Sequence, residues 1–110
     1  MDIRIEDRGG YVVAELQGRF DSASCQAVSG RLQDLVPGAG GTLAIDLSRV
    51  ELLDSSGLGL LVDLTARARM REARVVLVAP SVFIQGVLKV TKLDTWLDVV
   101  RDLEKLREPA

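Results

Sequence analysis

Residues 50–64 read VELLDSSGLGLLVDL, which sets two adjacent hydroxyls, Ser55 and Ser56, behind the carboxylate of Asp54 and ahead of Gly57 and Gly59. A leucine-rich run follows, so the stretch reads as a junction from strand to helix. Asp54 or Ser55 can cap that helix by accepting from its first free backbone N–H groups. With Asp54 as the cap, Leu53 and Leu58 fall at the positions of a hydrophobic staple. Capping accounts for the acid and one serine, but not for two glycines in the first turns, each of which costs about 1 kcal/mol relative to alanine. The expectation is an uncrowded surface at Gly57 and Gly59, over which another protein can approach the hydroxyls. A helix start carries partial positive charge and free N–H donors and tolerates a phosphate. Phosphoserine would add a charge of about −1.5 to −2 beside Asp54, enough to repel a partner shaped for the neutral surface. The chemistry indicated is a charge switch on a hydroxyl.

Other chemistries are poorly provided for. The chain has no histidine, so a Ser-His-Asp or Cys-His nucleophile and a His-ligated zinc site are excluded. No metal cluster and no catalytic residue is singled out, and no cofactor is called for. The sequence Gly38-Ala39-Gly40-Gly41 after Pro37 lacks G-x-x-x-x-G-K-[ST] and reads as a turn, not a phosphate loop. Net charge is −2 with scattered Arg and Lys, which argues against a nucleic-acid partner. Arg67, Arg69, Arg71 and Arg74 read as a solvated surface. The single cysteine, Cys25, rules out an intrachain disulfide and suits a reducing cytoplasm. The N-terminal MDIRIEDRGG has no apolar signal region, and no apolar run approaches the roughly 20 residues of a membrane span, so no membrane insertion is expected.

The elements that must position the serines follow from the apolar period. The 110 residues, 47% apolar, are expected to form one domain, 1–110. Ile3 and Ile5 alternate with polar residues, Gly9-Gly10 turns, and 11–18 alternates again: a hairpin. From 21 to 36, Ala23, Ala27, Val28, Leu32, Leu35 and Val36 recur at helical spacing. TLAIDL, 42–47, is a buried strand; the helix after the double serine runs to about Glu72; 73–80 holds another buried strand. Pro80 opens a helix from 81 to about 90, a short strand covers 96–99, and a terminal helix covers 100–106. Strands alternating with helices predict an α/β sheet with parallel pairs. Asp21 is expected to cap the first helix, and Asp46, near a strand's carboxyl end, to orient the serine loop or stay solvated. Cys25 reads as a small helix residue and Trp96 as core or rim.

The segment AIDLSRVELLDSSGLGLLV resembles the signature of the STAS domain, and specifically the bacterial anti-sigma factor antagonists. ELQGRFDSAS, with Gly18 and Asp21, and VAPSVFIQGVLKVTKLDTWLDV resemble the flanking passages, so the likeness spans nearly the whole chain. It implies a STAS-like mixed sheet of four to five strands with helices packed mainly on one side. It also implies a partner, an anti-sigma factor with serine kinase activity, whose capture frees a sigma factor for transcription. The kinase would phosphorylate the serine at the head of the second helix and so release the complex; a PP2C-type phosphatase would reverse it. By position the acceptor is Ser56, with Ser55 as the alternate. Asp21, Asp54, Ser55, Ser56, Gly57, Leu58 and Gly59 are the expected partner-binding residues. A STAS scaffold subunit of a signalling or lipid-transport assembly is the rival role. Two positions depart from the pattern: Lys92 and the Glu72-Ala73 turn stand where the family often has glycine, and a left-handed backbone at lysine would cost about 1–2 kcal/mol.

Overall fold

A computed structural model describes residues 1–107. Five strands lie in the order β1-β2-β3-β4-β5: β1 (Asp2–Asp7), β2 (Val12–Phe20), β3 (Thr42–Leu53), β4 (Arg74–Val78) and β5 (Asp98–Val100). β1 pairs antiparallel with β2, and the remaining pairs are parallel. The crossovers are α1 (Ser22–Asp34), α2 (Ser55–Met70) and α3 (Val82–Val90), with short 3-10 segments at Leu93–Thr95 and Leu103–Arg107. The expected mixed α/β sheet is therefore present, with all five strands.

Strand alternation divides the buried residues into two clusters. Ala14, Leu16, Leu43, Ile45, Leu47, Val75 and Leu77 face Val28 and Leu32 of α1, Leu61, Leu64 and Ala68 of α2, and Ile84 and Leu88 of α3. On the opposite face, Val13, Ala44, Val76 and Val78 are covered by Tyr11, Val100 and, from the last 3-10 segment, Leu103 and Leu106. The three α-helices thus occupy one side of the sheet, and a single short turn patches the other.

Three boundaries differ from the sequence reading. β3 runs on from Leu47 to Leu53. Its pairing with β4 stops at Asp46↔Val78, and the extension pairs with β2 alone, across register shifts between Glu15 and Gln17 and between Gly18 and Arg19. The last strand is Asp98–Val100, not 96–99, because Trp96 closes the Leu93–Thr95 turn, its N–H donating to the Leu93 carbonyl at 3.0 Å. Val100 is held in β5 by the Ala79 N–H, which donates to its carbonyl at 2.9 Å, so the terminal helical segment begins at Leu103 and is 3-10.

Candidate functional site

β2 and β3 end side by side, at the register pair Phe20↔Leu53. The next residue of each is a helix cap, Asp21 or Asp54. The two caps share one extended backbone conformation, φ −112°, ψ −175° at Asp21 and φ −102°, ψ −174° at Asp54. Two helix N-termini are thereby aimed the same way from adjacent parallel strands, at the carboxyl edge where α/β sheets carry their sites.

Each carboxylate caps its helix through a single oxygen, Oδ1. Asp21 Oδ1 accepts from the Ser24 N–H at 3.0 Å. That bond, with the Ser24 side chain adding to it, holds the Asp21 carboxyl below the usual carboxylate range. Asp54 Oδ1 accepts from the Ser56 N–H at 2.9 Å and the Gly57 N–H at 3.1 Å. The Leu58 N–H donates to the Asp54 carbonyl at 3.0 Å, the first bond of the helix proper. Of the two candidate caps, Asp54 serves, and Ser55 and Ser56 are left exposed with their hydroxyls uncommitted to the cap. Leu53 is buried, and Leu58 packs against the same apolar cluster, on the side the staple spacing expects.

The two glycines separate in role. Gly57 is buried; a Cβ there would stand 2.5 Å from the Phe20 carbonyl oxygen, 2.8 Å from Leu53 Cδ1 and 3.0 Å from Phe20 Cγ. Its lack of a side chain lets α2 sit down on the end of β2, where the Asp54 N–H also donates to the Phe20 carbonyl at 3.3 Å. The expectation of an open surface at Gly57 is therefore corrected: an internal fit requires this glycine. Gly59 does match the expectation, being exposed, and a Cβ there would meet no atom within 4 Å. Phe20, which sequence reasoning missed, is the floor of the site; a glycine in a first helical turn was the available signal.

Cys25 marks how near the two caps lie. Burial, and then the charges of Asp54 and Asp21, push its thiol up from the ordinary value, which makes it a poor nucleophile. Asp46 does not join the site. It pairs within the sheet opposite Glu15 and Val78, and its Oδ1 accepts from the Ser48 N–H at 2.9 Å, so it braces the start of the β3 extension. The four arginines behind α2 are more than a solvated surface. Arg67 pairs with Asp63 at 2.9 Å, Arg71 donates to the Val36 carbonyl at 3.2 Å, and Arg74 faces Asp98 at 3.6 Å. Arg69 donates to the Trp96 carbonyl and lies 4.3 Å from that ring's centre, which puts Trp96 at the rim. Among the described residues no group of three His, Cys, Asp or Glu is placed to hold a metal ion, and no helix is long and apolar enough to cross a membrane.

A mixed five-stranded sheet with its helices on one face, and two capped helix starts at one edge, defines a class of small α/β domain. The chain belongs to the STAS domain family: the family model described as "Mlab, STAS domain" matches residues 3–103. No curated protein matches the sequence. Among solved structures, it is similar to an anti-sigma factor antagonist from Mycobacterium paratuberculosis, with a TM-score of 0.82 and 25% identity over 94% of this chain and 88% of that one. The anti-sigma factor antagonist SpoIIAA in its unphosphorylated form matches with a TM-score of 0.77 and 22% identity, covering 96% of this chain and 93% of that one. The Bacillus cell fate determinant SpoIIAA in the phosphorylated form matches with a TM-score of 0.73 and 22% identity, covering 96% of each chain.

Proposed function

We propose that this protein is an anti-sigma factor antagonist, a non-enzymatic cytoplasmic module that binds an anti-sigma factor with serine kinase activity and thereby frees a sigma factor. The observation that carries this reading is the exposed pair Ser55 and Ser56 on the first turn of α2, held by the Asp54 cap and seated on Phe20 through Gly57. Ser56 is the phosphoacceptor, with Ser55 as the alternate; Asp21, Asp54, Leu58 and Gly59 border it, and Gly57 acts on the partner surface only by fixing the turn. Phosphorylation at Ser56 releases the partner and a PP2C-type phosphatase restores binding. SpoIIAA, a protein of this fold, is known in unphosphorylated and phosphorylated forms, which supports the same logic.

The physics of the switch is sharper than a bare helix start implies. A phosphate on Ser56 finds the Ser56 and Gly57 N–H groups already bonded to Asp54. It therefore adds charge next to a carboxylate without gaining those donors, and a partner fitted to the neutral hydroxyl must face both charges.

A second reading is favoured by the family model's description as Mlab: a STAS scaffold subunit of a lipid-transport or signalling assembly. Incubation with the host's candidate serine kinases and ATP, followed by mass spectrometry of the peptide carrying Ser55 and Ser56, separates the two. A single phosphate on Ser56, absent from Ser56→Ala, supports the switch. No phosphate from any candidate, together with co-purification in a stable assembly that Ser56→Ala leaves unchanged, supports the scaffold.

A further inference from the structure

Seven large apolar side chains are exposed among the described residues, and five of them lie between Val82 and Val99. α3 buries Ile84 and Leu88 but leaves Val82 at 86%, Val90 at 85% and Phe83 at 57% exposure. Such a concentration is unusual on a free surface, and Val82 and Val99 among the five share one groove. That groove, of about 850 Å³, runs between α3 and β5, lined among others by Val82, Gly86, Lys89, Val99 and Arg101. A Cβ on Gly86 would meet no atom within 4 Å, so the groove is open over that residue.

β5 is an edge strand, the last in the sheet order. Val100 turns its carbonyl inward to the Ala79 N–H. In a parallel ladder the N–H and C=O of one residue point to the same side and those of the next to the other, so both groups of Val99 face the open edge. Val100 packs on the sheet face away from the helices, which puts the Val99 side chain, 38% exposed, on the α3 side. Backbone hydrogen-bonding groups and an apolar wall thus meet at one place. The charge there is also distinctive. Lys89 and Arg101 form no ion pair among the described residues, and with Asp94 on the rim the groove is net positive in a chain of net charge −2.

We propose that the open edge of β5 and the adjoining α3 groove form a second protein-docking surface, which receives an extended segment of a partner protein, acidic and apolar in composition, by adding it to the sheet as a sixth strand. Main-chain bonds to Val99 supply the register, alternate apolar side chains enter the groove against Val82 and Val99, and carboxylates meet Lys89 and Arg101.

The test is an amide NMR titration of the isotope-labelled full chain with an acetylated heptapeptide of alternating valine and glutamate, and with the same peptide carrying lysine for glutamate. Saturable shifts centred on Val99, Arg101 and α3 are expected, with the lysine peptide at least tenfold weaker. Val99→Pro removes the outward N–H without touching the β4 ladder, and Gly86→Leu fills the groove; each should weaken binding at least tenfold in a protein whose remaining amide spectrum is unchanged. Lys89→Glu with Arg101→Glu should invert the preference between peptides. Absence of saturable shifts, equal binding of both peptides, or indifference to Gly86→Leu would overturn the proposal. So would self-association that Val99→Pro abolishes, which would give the edge to a second copy, or displacement of the peptide by phosphatidylglycerol vesicles, which would give it to a lipid surface.

Discussion

Gly57 and Gly59 stand two residues apart in one helix and answer to different neighbours. At Gly57 a methyl group would lie 2.5 Å from a backbone oxygen that cannot swing aside, so Gly57→Ala should destabilise the fold by about 1–3 kcal/mol, the usual range for overpacking. At Gly59 the space is open and the backbone helical, so Gly59→Ala should stabilise by about 0.5–1 kcal/mol. Urea denaturation of the two variants checks the pair; equal effects of the same sign would refute the assignment of Gly57 to internal fit. Asp21 carries a different signature. Its carboxyl is held below its unfolded value by the Ser24 N–H, so its contribution to stability is present above the unfolded carboxylate range and is lost as pH falls through the lower folded value. Thermal melts between neutral pH and pH 2 should therefore show wild type losing more stability on acidification than Asp21→Asn. At this scale the sequence was informative about capping and silent about crowding. D-S-S-G announces a helix start through its side chains, whereas the reason for Gly57 lies in Phe20, thirty-seven positions earlier and adjacent only through the pairing of β2 with β3.

Two of the three helices are followed by residues that resist the conformation they hold. Glu72, after α2, has φ 58°, and Lys92, after α3, has φ 61°, both left-handed and both at positions where the family pattern suggests glycine. The left-handed region costs a residue with a Cβ about 1–2 kcal/mol, and glycine's greater freedom in the unfolded chain returns part of that. Glu72→Gly and Lys92→Gly should each stabilise by about 0.5–1 kcal/mol, read as a rise in urea midpoint with unchanged slope. Helix starts and the sheet's alternation with helices were legible because caps and apolar periods are local. The extent of β3 was not: Ser48, Arg49 and Glu51 break the apolar run, since beyond Asp46 the strand pairs with β2 alone and its outer face is wet. The chain's last strand and turn were displaced for a related reason. Val100 looks helical in its own neighbourhood but is recruited by Ala79, and Trp96 is taken by its turn and by Arg69.

Across the whole molecule, the site and the core are joined through one junction: α2 begins on the surface at Ser55 and Ser56, then buries Leu61, Leu64 and Ala68 against the sheet. A charge placed at the head of this helix therefore sits at the surface, a turn or more before these three buried residues. Ser56→Asp should leave the fold nearly intact, because the favourable interaction of an anion with the helix start, about 0.3–1 kcal/mol, is opposed by repulsion from Asp54. The Asp54 cap limits that benefit further, since it already holds the two nearest N–H groups. In the proposed complex the same charge would be buried against a surface fitted to a neutral hydroxyl, beside a second carboxylate. An unpaired charge there should cost at least about 2 kcal/mol, or roughly thirtyfold in affinity for the anti-sigma partner, and phosphoserine, with nearly twice the charge, should cost more. Titration of wild type, Ser56→Asp and phosphorylated protein against the partner, with melts as control, measures both halves. Unchanged affinity for the phosphorylated protein would refute the switch, and a collapsed melt would show that the charge acts on the fold instead of on the interface.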